Sequence, residues 1–313
     1  MKTSLRTFAA ALAAASLLGA AGCAGSYEEP ASVGTSAAEV IGGFPANSPK
    51  LNAIGALAFD YGDGYYYPFC SGTLVSEDEV LTAEHCSYYV DPYYTKFVIG
   101  PNALAPTRVV PVINAVAETT VQGGIIGLGS DVAIVHLAEA VTDVPILPYA
   151  QFEPDRVGER FVVVGYGVTD NNWSSGTRNA GALTLQGSSG RIFDLLFGSF
   201  EGFLADGAPV LFPYLNPNNP TDLSELQWLY EFYTVLDGYE AVLGAGLGDA
   251  NDCYGDSGGP LIQKKDGKST VFGVVSWGFG STRQVCDFGG IFAVLGPASV
   301  DFINAETAPA PAP

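Results

Sequence analysis

Short apolar segments of strand length recur through most of the chain. Each is rich in branched and aromatic residues and is bounded by Gly, Pro, Asn or Asp. This pattern is typical of antiparallel β-barrels or sandwiches and predicts an all-β fold. The clearest segments are LNAIGALAF, KFVIG, RVVPVINAV, DVAIVHL, RFVVVGYGV, TVFGVVSWG and GIFAVL.

One stretch, TDLSELQWLYEFYTVL, departs from the strand pattern. Asp222 and Glu225 have the spacing of a helix capping box, and apolar residues follow at helical intervals. These are Leu223, Leu226, Leu229, Tyr230 and Tyr233. We expect a helix that packs on the domain surface, with a partner-binding helix as the alternative.

The N-terminus has the features of an export signal. Lys2 and Arg6 are basic, and the apolar stretch 8–22 that follows is too short to span a bilayer. We therefore assign residues 1–22 to a signal peptide. Cys23 follows in AAGC, which resembles a bacterial lipoprotein cleavage box, although Ala20 stands where leucine is usual. Lipidation of Cys23 and ordinary secretion both remain open.

Both flanks of the apolar region differ from it in composition. Residues 23–39 are small and polar and predict a flexible tether or propeptide. Residues 306–313, ETAPAPAP, predict a disordered tail. The length of 313 residues, with one alternating pattern throughout, favours one catalytic-size domain at 40–305.

Charge and cysteine content narrow the class of protein further. The chain has 33 acidic and 13 basic residues, a net charge of -20, which argues against nucleic acid or an anionic membrane surface as a partner. Five cysteines include Cys23, and the even set that remains predicts two disulfides in an oxidising compartment. That set is Cys70, Cys86, Cys253 and Cys286, for which the sequence alone allows every pairing.

Ser257 lies in the glycine-rich turn CYGDSGGP and is a candidate nucleophile. A serine needs a base, and the chain has two histidines. His136 ends an apolar strand on the same side as Val132 and Ile134, which favours a structural role. His85, in LTAEHC, is the better candidate.

The G-x-S-x-G elbow of α/β-hydrolases is excluded because that fold places its histidine after the serine, and none follows here.

Five blocks occur in the order typical of trypsin- and chymotrypsin-like serine proteases, and the resemblance spans residues 40–304. They are VIGG (40–43), CSGTLVSEDEVLTAEHC (70–86), GSDVAIVHL (129–137), CYGDSGGP (253–260) and VSWGFG (275–280, in the block 274–280). The resemblance implies two six-stranded antiparallel β-barrels and a C-terminal helix. It also implies the disulfides Cys70 to Cys86 and Cys253 to Cys286.

The resemblance assigns roles to individual residues. Ser257 is implied as the nucleophile, His85 as the general base and Asp131 as the carboxylate that orients the imidazole. The N–H groups of Gly255 and Ser257 are implied to form the oxyanion hole. The expected activity is endopeptidase hydrolysis through an acyl-enzyme. The alternative is an inactive protease-like binding module.

The implied substrate pocket combines two parts of the chain. Asn251 would form its base, where trypsin-like enzymes have aspartate, and Asp252 can add a charge. The other implied residues are Ser276, Trp277, Gly278 and Gly290. We expect cleavage after Lys or Arg, with a large aromatic or polar residue as the alternative.

Activation is implied to require a cut between Glu39 and Val40. The new ammonium group of Val40 would pair with Asp256. Because Glu39 replaces the usual basic residue, we expect a separate protease to make the cut. That cut would also release the domain from a lipid anchor at Cys23.

Two features depart from the resemblance. Glu84 stands where the family has a small residue; we expect it to face solvent, the alternative being a raised pKa of His85. The segment 183–250 is longer than usual and forms either a lid or wall near the cleft or a surface decoration.

We expect the protein to be exported, to be a monomer and to act on polypeptide substrates. We expect no cofactor or metal, with calcium in an acidic loop as the alternative.

Overall fold

The computed structural model describes residues 43–120, 129–169, 173–245, 248–279, 286 and 288–308. The predicted signal peptide, Cys23, Glu39 and Val40 lie outside these residues. Antiparallel strands form most of the described chain. They are β1 (Phe44–Pro45), β2 (Ile54–Asp60), β3 (Tyr66–Leu74), β4 (Glu79–Thr82), β5 (Thr95–Ile99), β6 (Arg108–Ala117), β7 (Ala133–Leu137), β8 (Arg160–Gly165), β9 (Asn179–Gly187), β10 (Glu240–Leu243), β11 (Pro260–Lys265), β12 (Lys268–Gly278) and β13 (Gly290–Val294).

Strands β2 to β7 close into the first barrel, in the order β2-β3-β4-β7-β6-β5. The pairing of β5 with β2, in which Leu57 lies opposite Phe97, completes the circle. Both side chains are fully buried, together with Ile134 of β7. Closure leaves no exposed sheet edge, and the inward-facing side chains fill the interior.

Strands β8 to β13 close into the second barrel. The order is β9-β10-β13-β12-β11-β8, and β8 pairs back with β9, while β1 adds to β9 from outside the barrel. Its core includes the buried rings of Phe161, Phe272 and Phe292. The predicted pair of six-stranded barrels is therefore confirmed.

The described chain has a 3-10 helix at Pro49–Leu51 and α-helices in three further places. They are α1 (Glu84–Ser87), α2 (Ile192–Phe197), α3 (Phe200–Gly202), α4 (Ala208–Leu211), α5 (Pro220–Phe232) and α6 (Pro297–Glu306), with a π-helical turn at Phe203–Gly207. The predicted helix and the C-terminal helix are confirmed as α5 and α6. The capping prediction was wrong, because Asn219 caps α5 by accepting the N–H of Thr221 at 2.9 Å. No helix of the described residues is long and apolar enough to cross a membrane.

Two buried side chains join the barrels. The hydroxyl of Tyr166, which follows β8, lies 2.9 Å from the carbonyl of Ile54 and 2.6 Å from that of Gly100, both in the first barrel. Burial raises the pKa of Tyr166 to about 12. Ser71 of β3 donates its hydroxyl to the carbonyl of Gly255 at 2.9 Å. The turn that carries Ser257 is thus tied to the first barrel as well as to the second.

Arg178 fastens the N-terminal part of the described chain to the second barrel. Its guanidinium is fully buried and donates to the carbonyls of Ala46, Ser48, Leu51 and Ile54 and to the side chain of Asn52. Several fixed acceptors compensate the desolvation of this cation. Arg178 therefore helps to fix the path of residues 46–54, together with their backbone hydrogen bonds.

Candidate active site

His85 and Asp131 meet at the rim of the first barrel. His85 lies in α1, directly after β4, and Asp131 precedes β7, which pairs with β4. The ring Nδ1 lies 2.9 Å from Asp131 Oδ2, and the backbone N–H of His85 donates to Oδ1 at 2.9 Å. Because an ionised carboxylate only accepts hydrogen bonds, Nδ1 carries the proton and Nε2 is left as the basic nitrogen.

Asp131 also receives a hydrogen bond from the second barrel. The hydroxyl of Ser276, in β12, donates to Oδ2 of Asp131. Asp131 is 1% exposed, so its charge depends on these donors in place of water. Ser276, expected as a substrate-binding residue, lines the cleft and at the same time fixes the carboxylate behind His85.

Ser257 sits on a tight turn that its neighbouring glycines permit. Gly255 and Gly258 have positive φ angles of 95° and 77°, which side chains rarely adopt. A Cβ on Gly258 would lie 2.0 Å from the hydroxyl of Thr82. The carbonyl of Ser257 accepts the N–H of Ser71 at 2.8 Å. The turn that carries Ser257 therefore packs directly against the first barrel.

His85 and Ser257 face one cavity of about 400 Å³ between the barrels. Its lining includes Ser276, Trp277 and Gly278 at the end of β12, which is where the sequence placed substrate binding. The structure thus brings together residues that are more than a hundred positions apart in the chain.

The pocket beyond Ser257 holds Asp252 rather than Asn251. The side-chain oxygen of Asn251 accepts the N–H of Gly289 at 2.9 Å, and Asn251 is not among the described residues that line the cavity. Asp252 lines it and is 7% exposed, and its Oδ1 has no hydrogen-bond partner among the described residues. Burial, followed by the negative charge of Asp256, raises the pKa of Asp252 to about 7.

Two glycines fit closely around Asp252. A Cβ on Gly290 would lie 2.0 Å from Oδ1, and one on Gly278 would lie 3.9 Å from Oδ2. Gly290 therefore makes room for the Asp252 carboxylate, and a larger residue there would displace the charge. Of the two glycines expected as walls, Gly278 lines the cavity, whereas Gly290 is not among the described residues that line it. The carboxylate in the lining belongs to Asp252, the residue next to the expected base.

Asp256 occupies a second buried acidic site. Its Oδ1 accepts the N–H of Gly167 at 2.8 Å and its Oδ2 accepts that of Cys253 at 2.9 Å. Burial raises the pKa of Asp256 to about 7. A Cβ on Gly165 would lie 2.1 Å from the carboxylate, so this glycine keeps the site open. No described side chain forms an ion pair with Asp256.

Both predicted disulfides are present and flank the cleft. Cys70 is bonded to Cys86, with a Cα–Cα distance of 6.2 Å, and Cys253 to Cys286, at 5.4 Å. The Cys70–Cys86 disulfide holds α1 against β3. The Cys253–Cys286 disulfide holds the turn that carries Ser257 against the chain before β13. Cys70, His85 and Cys86 are clustered, but bonded sulfurs cannot act as thiolate metal ligands.

Glu84 is buried, so the expectation that it faces solvent was wrong. It is 9% exposed, and its Oε1 accepts the hydroxyl of Tyr88 at 2.6 Å. This hydrogen bond is the main reason why the pKa of Tyr88 is raised to about 12. Tyr88, four residues further along the chain, thus provides a hydrogen bond to the Glu84 carboxylate, which the sequence analysis expected to face solvent.

His136 lies away from the cavity. Its Nε2 is 3.1 Å from Oε2 of Glu306 in α6, and its Nδ1 is 4.0 Å from Oε1 of Glu79 in β4. These contacts link the first barrel to the C-terminal helix. The structural interpretation of His136 agrees with this placement.

Sequence reasoning missed Ser71 and Thr82, which hold the serine turn. Thr82 Oγ1 donates to the carbonyl of Ser71 at 2.8 Å, and the Ser71 hydroxyl accepts the N–H of Tyr166 at 3.1 Å. The signal that could have indicated them was two hydroxyl side chains inside otherwise apolar strands, where a buried polar group must find a partner.

Comparison with known proteins identifies the family. The family model described as Trypsin matches residues 40–192 and 237–293. A trypsin-like protease of Streptomyces glaucescens is 27% identical over 276 residues, which cover 87% of this chain and 84% of that protein. Phenoloxidase-activating factor 3 of Holotrichia diomphalia is 25% identical over 232 residues, 67% of this chain and 56% of that protein. The fold, the ordered blocks and the family match together show that the chain belongs to the trypsin family of serine proteases.

Proposed function

We propose that this chain is an active serine endopeptidase that hydrolyses peptide bonds through an acyl-enzyme intermediate. The observation that supports it most is the alignment of Ser276, Asp131 and His85, which directs the His85 ring into the cavity that Ser257 also lines. A buried carboxylate held by three donor groups is suited to stabilise an imidazolium next to it.

The mechanism follows from this arrangement. Nε2 of His85 accepts the proton of the Ser257 hydroxyl as Oγ attacks the carbonyl carbon of the substrate. The N–H groups of Gly255 and Ser257 stabilise the oxyanion that forms. The His85 imidazolium then donates its proton to the leaving amine. A water molecule, activated by His85, hydrolyses the ester on Ser257 and restores the hydroxyl.

Asp131 remains ionised throughout this cycle. Its hydrogen bond to Nδ1 keeps His85 in the tautomer that has a free Nε2, and its charge stabilises the imidazolium. The Ser276 hydroxyl prevents rotation of the carboxylate away from the ring. These two residues position the base without touching the reacting atoms.

We expect the protease to cleave after Arg or Lys. A buried carboxylate with an unpartnered oxygen is costly, and a guanidinium or ammonium group on the substrate would relieve that cost. Asp252 is such a carboxylate: its Oδ1 has no hydrogen-bond partner among the described residues, and the residue lines the cavity of about 400 Å³. Chromogenic peptides that end in Arg, Lys, Phe or Glu test this preference, and faster hydrolysis of the Phe peptide would reject it.

Activation by a cut between Glu39 and Val40 forms part of the proposal. Asp256 is a buried carboxylate that accepts only backbone hydrogen bonds among the described residues, and an ammonium group at this site would favour its ionised form. The domain would then be released from the preceding segment and from any lipid at Cys23. N-terminal sequencing of the active form tests this step: an active species that starts at Cys23 would contradict it.

Replacement of Ser257 by alanine is the primary test of the function. We expect the Ser257→Ala variant to fold and to lose peptide hydrolysis, because only the nucleophile is removed. An active-site phosphonylating agent should label the wild-type protein at Ser257 and should not label the variant. If the correctly cut wild-type protein neither hydrolyses peptides nor becomes labelled, the chain is instead an inactive protease-like binding module.

A further inference from the structure

Five tyrosine rings are exposed together on the surface of the first barrel. They form what we call the tyrosine patch: Tyr61, Tyr67, Tyr89, Tyr93 and Tyr94, each between 41% and 80% exposed. None of them is among the described residues that line the catalytic cavity. A contiguous group of exposed aromatic rings marks a binding surface on a protein of this kind.

Adjacent strands bring the two loops of the patch together. Tyr61 lies in the turn from β2 to β3, Tyr67 lies in β3, and the other three tyrosines lie between α1 and β5. Strand β2 pairs with both β3 and β5, and the N–H of Asp60 donates to the carbonyl of Tyr94 at 2.8 Å. Two separate loops therefore form one surface.

The rings of the patch contact one another at inclined angles. Tyr61 lies 5.7 Å from both Tyr67 and Tyr94, with ring planes at 47° and 50°. Tyr93 lies 5.0 Å from Tyr94 at 74°, and Tyr61 also contacts Phe59 at 5.8 Å. The rings are continuous but do not form a flat platform.

Two half-buried phenylalanines anchor the patch to the rim of the cleft. Phe59 stacks on Phe69 at 4.5 Å, and Phe69 packs against the hydrophobic core. The ring of Tyr89 lies 6.0 Å from that of Phe69. Phe69 precedes Cys70, whose disulfide to Cys86 holds α1. The position of the patch is therefore fixed relative to α1, which carries the catalytic base.

Acidic side chains outnumber basic ones around the rings. Asp60, Asp63 and Asp91 lie in or beside the same two loops. Lys96, at the start of β5, directs its ammonium group to the carbonyl of Tyr93 at 3.2 Å. No ion pair joins the three carboxylates to a cation among the described residues. The surface around the patch is negative, which favours a cationic partner.

Two of these carboxylates also hold the loops in shape. Asp63 accepts the hydroxyl of Tyr67 at 2.7 Å and the N–H of Tyr65 at 3.0 Å. The hydroxyl, followed by the N–H, lowers the pKa of Asp63. Asp91 accepts the N–H of Tyr93 at 2.8 Å. A surface that is ordered before it binds loses little conformational entropy on binding.

The composition of the two loops indicates the kind of partner. They read DYGDGYYY (60–67) and YYVDPYY (88–94). Tyrosine supplies rigid contact area with only two side-chain torsions, and it is enriched in the protein-binding loops of antibodies. Its ring face also attracts Arg and Lys side chains through cation–π contacts. Because the inclined rings lack the flat face on which a sugar ring stacks, a polypeptide fits this surface better than a polysaccharide.

We propose that the tyrosine patch is an exosite that binds an Arg- and Lys-rich segment of the protein substrate outside the catalytic cleft. Cationic side chains of that segment lie over the tyrosine rings and pair with the carboxylates beside them. Since the segment and the cleaved bond belong to one polypeptide, binding at the patch raises the local concentration of the bond at Ser257. The inference rests on the proposed endopeptidase function and names basic proteins as its substrates.

Binding is measured on the Ser257→Ala chain, which cannot cut its ligand. Asp252→Asn is added so that the proposed Arg pocket does not hold the probe. The probe is a fluorescent peptide of alternating Arg and Gly, and a Gln-Gly peptide of equal length is the neutral reference. An exposed cation–π contact is worth about two- to fivefold in affinity, so two such contacts predict about tenfold tighter binding of the Arg peptide. Fluorescence anisotropy gives both dissociation constants.

Ring variants assign the binding to the patch. Tyr93→Ser should lower the affinity for the Arg peptide about threefold, whereas Tyr93→Phe, which keeps the ring, should retain it. The matched control is Tyr214→Ser, which removes a ring of similar exposure outside the patch and should change nothing. Circular dichroism checks that each variant is folded.

Charge variants test the cationic partner. Asp63→Asn with Asp91→Asn keeps the acceptor that shapes each loop and removes both charges. It should lower the affinity about threefold and weaken its dependence on salt. Glu153→Gln with Asp155→Asn removes two exposed carboxylates elsewhere, gives the same net charge and should bind like the parent chain.

Hydrolysis shows whether the site serves the protease. In the wild-type protein cut between Glu39 and Val40, two substrates share one cleavable Arg bond and a flexible linker. One ends in a tail of D-Arg and Gly, which is not cut, and the other in D-Gln and Gly. We expect the cationic tail to lower KM about tenfold with kcat unchanged, and Tyr93→Ser to reduce this advantage.

The outcomes separate the exosite from the function on which it rests. Equal affinity for the Arg and Gln peptides, or equal losses in the patch variants and their matched controls, would overturn the exosite alone. Binding of a soluble glucan oligomer that is lost in Tyr93→Ser and kept in the paired aspartate variant would overturn it in favour of a polysaccharide surface. Tight binding of the Arg peptide, with neither hydrolysis nor labelling of Ser257 in the cut wild type, would overturn the endopeptidase proposal instead.

Discussion

Asp131 and Asp252 are both buried carboxylates of the cleft, but they differ in how completely their oxygens are hydrogen-bonded. Asp131, in the first barrel, accepts hydrogen bonds from the His85 backbone, the His85 ring and Ser276. Asp252, in the second barrel, has an oxygen without a partner among the described residues, and its pKa is raised to about 7 by burial and by Asp256. A carboxylate that acts on a neighbouring side chain is fully paired. Asp252, which we propose as the partner of a substrate cation, has a buried oxygen that no described residue satisfies.

The paired carboxylate should give the largest effect when changed. We expect Asp131→Asn to lower kcat by about 10⁴-fold, because the amide favours the wrong tautomer of His85. The N–H group of asparagine would also face the ring where an acceptor is needed. Single-turnover and steady-state hydrolysis of an Arg peptide measure the loss.

The fold of Asp131→Asn should be retained, which circular dichroism can check. Ser276→Ala, which removes one donor to the same carboxylate, is the graded comparison and should lose less activity than Asp131→Asn. Wild-type turnover in Asp131→Asn would show that His85 does not depend on this carboxylate.

Asp252, the carboxylate with the unpartnered oxygen, should control the preference for Arg peptides rather than turnover on all peptides. We expect Asp252→Asn to lower kcat/KM for Arg peptides by about 100-fold, since the substrate cation loses its buried counter-charge. Hydrolysis of Phe peptides by the same variant is the internal control and should stay level or rise. A parallel loss on both peptides would mean that Asp252 supports the shape of the pocket and not its charge.

The raised pKa values of Asp252 and Asp256 predict a pH dependence of stability. Both carboxyl groups have pKa values of about 7 in the folded protein and 3.8 as the reference value for an exposed group. Between these values the folded state binds more protons than the unfolded state, so these groups make the free energy of unfolding fall as pH rises from about 4 to about 7.

Urea unfolding of the uncut Ser257→Ala chain at several pH values tests this direction. The uncut chain is used because it lacks the ammonium group expected at Asp256. Asp252→Asn in the same background removes one of the two groups and should make the decline with pH shallower. An unchanged slope would show that Asp252 is ionised in the folded protein throughout this range.

The smallest effect is expected at His136. Replacement by Gln should leave kcat/KM unchanged and alter the free energy of unfolding by no more than about 1 kcal/mol, because its partners Glu79 and Glu306 lie near the surface. Peptide hydrolysis and urea unfolding give both values. A loss of turnover equal to that of His85→Gln would mean that the wrong histidine was assigned.

Much of the fold was predictable because strand patterning and turn residues are local signals. All seven apolar segments are strands, and the helix over residues 220–232 was recognisable from its own spacing. The short helices before it were missed, since each is about one or two turns long and is stabilised by a cluster of buried aromatic rings rather than by local propensity. The cap at Asn219 was missed because several side chains there can serve as caps.

The sequence by itself determined the order of the blocks that carry Ser257, His85 and Asp131, and the resemblance drawn from them implied the pairing of the cysteines. Only the tertiary structure decided which of the adjacent residues Asn251 and Asp252 lines the pocket. Neighbouring side chains point in different directions, and those directions depend on backbone angles that cannot be read from composition. The Asn251 oxygen is taken by the N–H of Gly289, and Gly290 leaves room for the Asp252 carboxylate. Burial and hydrogen-bond partners depend on residues distant in the chain. The contrast between Asp131, which is fully paired, and Asp252, whose Oδ1 has no partner among the described residues, therefore exists only once the two barrels have closed.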